Sequence, residues 1–410
     1  MTADRHLPLD VLRGFAVMGI LLMNIVAFAM PSHAYINPRA FGGTTMPDLL
    51  AWAVNFVLVD GKMRGLFSLL FGASMLLVIE RARAAGQNGT RVHLSRMAWL
   101  AVFGLIHLYL IWFGDILTLY AICGAVALLL VNRSPTALFR WAGALIALNF
   151  VLWALIVGSG FMLEYAAGQP GARPATLHNL QELLASLGEP GNDQITRELQ
   201  SYQGSYADAL AERTRDGAGA ILFLLVSSGL ETVGLMALGM ALYKNGFLTG
   251  AWSPAEIRRL MVRAYAIGLP AMIAIAAFCF FVDFDTLRTA AAVFVLATPF
   301  RFAVMFGHVA LVLLIVRHVA MSPFVERVAA VGQAAFTNYL GTSIVVTSLF
   351  YGYGAGWFGT LSRWQIYLVP PIIWMIMLLW SKPWLARYRY GPLEWLWRSL
   401  ARGSAQPLLR

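Results

Sequence analysis

The sequence is poor in charge. Only 12% of its 410 residues are Asp, Glu, Lys or Arg, while 59% are hydrophobic. A soluble domain carries about 25% charged residues, so a water-soluble globular protein is excluded. Cysteine is nearly absent. Cys123 and Cys279 both fall in apolar runs, which leaves no disulfide framework and no Cys-based metal site. No HExxH, carboxylate array or Walker sequence occurs, so neither a metal nor ATP is expected. The ~10-residue alternating segments of a membrane barrel are missing too. No nucleic-acid motif is present, so the net charge of +10 bears on membrane orientation rather than on nucleic acid. No small-residue cleavage site follows the first apolar run, which carries Asp10 and Arg13. It reads as a retained helix rather than a cleaved signal.

What is there is a succession of apolar runs long enough to cross a bilayer, which takes roughly 20 residues. The expectation is an all-α polytopic membrane protein with about ten spans, roughly 9–30, 65–80, 97–113, 116–132, 138–162, 218–243, 261–282, 290–316, 328–350 and 365–382. Positive charge orients them. Segment 81–96 has four arginines and no acid, and segment 382–410 has six Lys/Arg and one Glu. The 244–263 connection carries Lys244, Arg258, Arg259 and Arg263. With ten spans, all three segments fall on the cytoplasmic side together with both termini. Connection 163–216, with eight acids and four arginines, then falls outside. Residues 176–187 and 193–216 read as amphipathic helices, the second interrupted at Gly204. The organisation expected is helices 1–5 over 1–162, a small helical extracytoplasmic cap over 163–216, and helices 6–10 over 217–410 with an interfacial helix at 391–400. Pairing of two such bundles is expected, without an assigned interface.

Against this apolar background, GLIHLYLIWFGDILTLYAICG (104–124) holds a histidine and an aspartate, which are expensive in a bilayer. Thirty-six residues separate Arg96 from Arg133, enough for a hairpin over 97–132 that turns near Gly114 and Asp115. His107 then lies about 12 Å deeper than Asp115 along the helix, and both can face one cavity. Neutral imidazole is cheap to bury and titrates near neutrality, so His107 suits a general base or transient acyl carrier. The plain structural alternative is a helix–helix hydrogen bond. Asp115 suits an imidazole-orienting or substrate-binding role, or an N-cap.

Three further groups stand out. In VDGKMRGLFSLLFG (59–72), Lys62 and Arg64 run against the positive-inside trend. They suit an anionic substrate or carrier phosphate, or else snorkel to headgroups. In PLDVLRGFAVMGILLMN (8–24), Asp10 and Arg13 form a local pair, or Arg13 meets cofactor phosphates. Asn24, Tyr120, Asn338 and Arg301 are assigned with Lys62 and Arg64 to the substrate cavity. Arg301 follows Pro299, which should break its helix, and Glu231 is its expected partner. His308 and Glu231 read as structural, and His33 as a loop histidine.

Taken in order, LDVLRGFAVMGILLMN, KMRGLFSLLFG, GLIHLYLIWFGDILTLY, FTNYL (336–340) and YGPLEWLWR (390–398) resemble the YeiB-like bacterial membrane proteins, once labelled domain of unknown function 418. The resemblance spans nearly the whole chain. That family is distantly similar to transmembrane acyltransferases such as heparan-α-glucosaminide N-acetyltransferase. The likeness implies a helical bundle in a bacterial cytoplasmic (inner) membrane. It also implies transfer of an acyl group, acetyl above all, from cytoplasmic acyl-CoA to an extracytoplasmic sugar or glycan. For such a reaction the residues and their topology make His107 and Asp115 the catalytic candidates, with Arg13, Arg81, Arg83, Arg96, Arg258 and Arg259 on the cytoplasmic side to meet the donor's phosphates. A transporter or flippase using the same buried polar groups is the alternative. A receptor or scaffold would leave those groups with packing alone.

Overall fold

The computed structural model describes residues 7–319 and 322–410. The extreme N-terminus, expected on the cytoplasmic side, lies outside them. The elements are α1 (Leu7–Ala29), α2 (Met46–Leu58), α3 (Lys62–Ala84), α4 (Gly89–Ile106), α5 (Leu117–Ala127), α6 (Pro135–Ala167), α7 (Pro174–Ser186), α8 (Asp193–Gln203) and α9 (Tyr206–Thr214). They continue with α10 (Ala218–Lys244), α11 (Pro254–Phe281), α12 (Thr286–Ala291), α13 (Thr298–Val319), α14 (Pro323–Gln333), α15 (Ala335–Phe350), α16 (Arg363–Ile366), α17 (Val369–Arg387) and α18 (Pro392–Arg402). The protein is an all-α polytopic membrane protein. Its only extended pairing among the described residues is the single bridge between Tyr388 and Leu409.

Helix starts follow local chemistry. Ser205 with Asp208 and Ser253 with Glu256 form capping boxes, and Pro135, Pro174, Pro254, Pro323 and Pro392 stand in first turns. There a missing N–H costs nothing. The faces of α6 carry Trp141, Leu148, Leu155 and Met162 outward. α1 is the reverse, buried along most of its length. A helix that is apolar and exposed belongs against lipid, and one that is apolar and buried belongs at the centre of the bundle.

Two close crossings set the frame. A Cβ on Gly239 would stand 1.8 Å from the Leu69 carbonyl oxygen, and one on Gly72 would stand 2.0 Å from that of Met236. A Cβ on Gly14 would meet the Val328 carbonyl at 2.1 Å, and one on Gly332 the Asp10 carbonyl at 1.9 Å. Only glycine lets α3 meet α10, and α1 meet α14, backbone to backbone.

Among the described residues, 8 helical segments are long and apolar enough to span, against the ten expected. The difference has local causes. Expected span 328–350 is cut at Ala334 into α14 and α15, and 116–132 forms only the short apolar stretch Leu117–Leu130. Expected span 65–80 belongs to a longer segment, Met46–Ala84, bent at residues 59–61. Expected span 290–316 is divided as Pro299 required: it stands second in α13, after a π-helical turn at Ala292–Leu296. The 163–216 connection folds into α7, α8 and α9 with its break at Gly204. These short helices lie over one end of the bundle, where the Ser32 N–H and hydroxyl donate to the Glu198 carboxylate at 2.6 and 2.7 Å.

Candidate active site

Helix α4 does not simply stop. It widens into a π-helical turn at His107–Ile111, closed by the Trp112 N–H donating to the His107 carbonyl at 2.8 Å. Such turns re-aim side chains and recur at functional sites. The chain then runs through Trp112 in extended conformation and re-enters helix at Leu117. Asp115 caps that helix. Its Oδ1 accepts the Leu117 N–H at 3.0 Å and its Oδ2 accepts the Thr118 N–H at 2.7 Å. The same Oδ1 lies 2.8 Å from His107 Nδ1. The expected 12 Å separation in depth is therefore wrong. The π-turn and the fold-back at 112–116 bring carboxylate and imidazole into contact, which an unbroken helix would not.

A carboxylate can only accept, so the hydrogen-bond network assigns the proton to Nδ1 and leaves a lone pair on Nε2. His107 is 0% exposed, and its Nε2 is buried without a partner. The Tyr339 and Trp112 rings flank the imidazole, with centroids at 5.2 and 6.1 Å. Trp112 is held by stacking on Phe28 at 3.8 Å. An imidazole oriented by a carboxylate, with its second ring nitrogen buried and unpartnered, has the geometry of a general base.

Sequence reasoning missed the residues that close this site from the cap. The π-turn strands the carbonyls of Tyr109 and Leu110, as helix ends do. Arg213 of α9, itself buried, donates to them at 2.9 and 3.3 Å, and the Tyr206 hydroxyl donates to Leu110 at 2.8 Å. Tyr202 of α8 stacks on Phe113 and Tyr351. Nothing in the sequence around Arg213 marks it, because its acceptors lie about a hundred residues earlier.

A second polar cluster lies at the same end of the α3–α4 hairpin, away from the basic turn that joins them. Arg64 Nη2 donates to Glu231 Oε1 at 2.7 Å, and Arg301 Nη2 donates to Glu231 Oε2. Lys62 is buried and donates to the Phe56 carbonyl. The Tyr35 hydroxyl donates to Asp60. Tyr120 stands 2.8 Å from the Ser68 hydroxyl and donates to the Arg64 carbonyl at 3.3 Å. Four of the expected substrate residues, Lys62, Arg64, Tyr120 and Arg301, thus lie together.

The others do not. Asn338 is a clasp: its Nδ2 donates to the Val331 carbonyl at 3.1 Å and to Ser381 at 3.2 Å, and Trp380 donates to its Oδ1 at 2.9 Å. Asn24 is half-buried on α1 and bonds to neither cluster. His308 is satisfied between Tyr265 and the Leu58 carbonyl, both at 2.8 Å. The six expected donor arginines fall in separate places. Arg13 bonds to Asp10, Ser74 and the Gly332 carbonyl, and Arg96 packs over the Trp397 ring at 4.0 Å. These two share a neighbourhood with Arg398 and Arg402, which the motif reading did not select. Arg83 donates to Asn132, and Arg81 is exposed. Arg258 and Arg259 line an open groove with Arg263 and His318.

The matches to known proteins run over the whole chain. The chain is 30% identical to the uncharacterized protein YeiB of Escherichia coli (strain K12), covering 99% of this chain and 98% of that one. It is 30% identical to the uncharacterized protein YxaH of Bacillus subtilis (strain 168), covering 100% of this chain and 97% of that one. A family model described as "Protein of unknown function (DUF418)" matches residues 242–404. The chain belongs to the YeiB-like DUF418 family. No solved structure matches it. The matched DUF418 stretch contains Arg301, Asn338 and Glu394, while His107 and Asp115 lie before it, in the part of the chain that the full-length relatives cover.

Proposed function

We propose that this YeiB-like protein is an acyltransferase of a bacterial cytoplasmic (inner) membrane, moving an acyl group, acetyl above all, from cytoplasmic acyl-CoA to an extracytoplasmic sugar or glycan. The observation that carries the reading is the His107–Asp115 pair with Nε2 buried and free. In the reaction, Nε2 takes the proton of the acceptor hydroxyl or amine as that atom bonds to the thioester carbonyl carbon. The carbon–sulfur bond then breaks, and the imidazolium returns the proton to the departing CoA sulfur. Asp115 keeps the imidazole oriented and stabilises its charged form, as a carboxylate partner does.

Donor phosphates call for concentrated arginine, which binds them in fork geometry. Arg13 and Arg96, with Arg398 and Arg402, supply one such group, and Arg258 and Arg259 supply another. Arg96 and His107 are eleven residues apart on one helical run, about 16 Å, a span suited to an extended pantetheine arm. Lys62, Arg64, Tyr120 and Arg301 hold the acceptor. A second reading, transport, draws support from the discontinuous α14–α15 pair, whose Tyr339 ring lies 5.2 Å from that of the buried His107; broken helices beside buried polar groups are a feature of transporter sites.

The test uses purified protein in detergent, with acetyl-CoA and longer acyl-CoAs. Wild type should bind acyl-CoA and release free CoA thiol, and His107→Ala should bind without release. Absence of acyl-CoA binding overturns the proposal and favours proton-coupled transport.

A further inference from the structure

Glu231 is a single carboxylate shared by two guanidiniums. Each arginine gives it one nitrogen: Arg64 Nη2 to one oxygen, Arg301 Nη2 to the other. Arg–carboxylate pairs are frequently two-pronged, and that fork makes them strong. Here the prongs are spread. Arg64 Nη1 and Arg301 Nε are both buried without any partner, and so is the Thr232 hydroxyl beside Glu231. The nearest further carboxylate, Asp60, accepts from Tyr35 and from neither guanidinium. Buried N–H groups of a cation that bind nothing are costly, and a native structure leaves them so only where something else supplies the acceptor.

The backbone makes room for the spread arrangement. Gly61 has φ of +70°, and a Cβ there would stand 3.0 Å from Arg301 Cδ and 3.2 Å from its Nη1. The break between α2 and α3 thus lets the Arg301 side chain lie across Gly61, which a side chain at that position would obstruct. The cluster also connects to the dyad. Tyr120 touches the Arg64 carbonyl, and Tyr339, whose ring is 5.2 Å from His107, lies within electrostatic range of both Tyr120 and Asp115.

We infer that Arg64 and Arg301 form a subsite for an anionic group, a carboxylate or a phosphate, whose oxygens take the free Arg64 Nη1 and Arg301 Nε protons. Resting on the acyl-transfer reading, this makes the acceptor an anionic sugar or glycan rather than a neutral one. The anionic group belongs either to a soluble acceptor or to a lipid headgroup carrying it.

The experiment measures binding without acyl-CoA, in nanodiscs of phosphatidylcholine, with glucose, glucose 6-phosphate and glucuronate as probes. A parallel set uses nanodiscs of phosphatidylglycerol. Wild type should hold glucose 6-phosphate or glucuronate at least about tenfold tighter than glucose, the scale of one charge-assisted hydrogen bond. Arg64→Lys and Arg301→Lys, which keep the charge but remove the free protons, should bring that ratio near one. If the soluble probes compete with phosphatidylglycerol, and phosphatidylglycerol alone raises the unfolding temperature in an Arg301-dependent way, the anion is a headgroup and the subsite stands. Equal affinity for glucose and its anionic analogues, together with no effect of phosphatidylglycerol, overturns the subsite and leaves water as the occupant. That comparison needs only wild type, so it holds even if a variant fails to fold. CoA release is scored separately: anion binding without it spares the subsite and sinks the acyl transfer, and release to neutral acceptors alone does the opposite.

Discussion

Two buried carboxylates each cap a helix in this protein, and they end differently. Glu394 of α18 caps α15: it accepts the Phe336 and Thr337 N–H groups at 2.7 and 3.1 Å and the Thr337 hydroxyl at 2.6 Å. Around it Trp397 donates to the Arg96 carbonyl at 2.9 Å and Leu393 donates to Thr337 at 3.0 Å. Burial holds the Glu394 carboxyl above the ordinary carboxylate range, against the opposing pull of the donors from Thr337 and Phe336. Asp115 also caps a helix, but it spends one oxygen on an imidazole that leaves a nitrogen free. The first network is saturated and clamps α18 to α15 and α4. The second is saturated on the carboxylate side only. A complete network rigidifies, whereas an unpartnered buried atom calls for an explanation, which the proposed acyl transfer supplies for His107.

Breaking the second network should abolish chemistry and spare the fold. His107→Ala should lower acyl-CoA-dependent CoA release by about 10²- to 10⁴-fold, with little change in unfolding temperature. Asp115→Asn should lower it less and also weaken the start of α5. A large loss of stability in His107→Ala would erase the distinction drawn between the two carboxylates.

Breaking the first should do the reverse. Glu394→Ala strands two backbone N–H groups and a hydroxyl, at a cost of about 3 kcal/mol. Thermal unfolding in detergent should show that loss, while any correctly folded fraction keeps its CoA-release rate per molecule. A normal unfolding temperature with lost activity would move Glu394 to the chemical side of the comparison.

Arg213 lies between the two cases, because it satisfies carbonyls that the π-turn strands. Arg213→Ala should cost about 1–2 kcal/mol and loosen the cap, so that protease cuts the 168–217 connection faster. Unchanged cleavage would show that the cap is held by Tyr202 and Glu198 alone.

The smallest effect concerns His33, which packs against Gly188 in the cap. Burial holds its imidazole below the ordinary histidine range, opposed by Glu198 and a bond to Ser186. The unfolded segment therefore takes up a proton first as pH falls through about 6.5. Cap stability should be full above that value and decline below it, down to the folded-state pKa. Protease cleavage of the cap should then quicken between pH 7.5 and 5.5 in wild type and hold steady in His33→Gln.

Much of this architecture is legible in the amino-acid sequence. Low charge and long apolar runs require a helical membrane protein, Gly204 divides the cap, Pro299 breaks its helix, and Glu231 is the partner of Arg301. The N-cap role of Asp115 follows from its place before an apolar helix. Other features are not legible there. Two of the ten expected spans are not long helices: 116–132 keeps only the short stretch Leu117–Leu130, and 328–350 is cut at Ala334, an excellent helix former. That break exists because Glu394, about sixty residues later, supplies a cap. Asn338 reads as a cavity residue by type and is a clasp by position.

Composition and local pattern alone determined the class of fold, the helix starts and the residue types able to do chemistry, because these depend on burial free energy and on neighbours a few residues apart. Only the tertiary structure decided that His107 touches Asp115, that two arginines share Glu231, and that Arg213 seals the π-turn. Each of those is a hydrogen bond with a cutoff near 3 Å, made between segments whose distance is set by how helices break and cross, and no periodicity in a sequence resolves that.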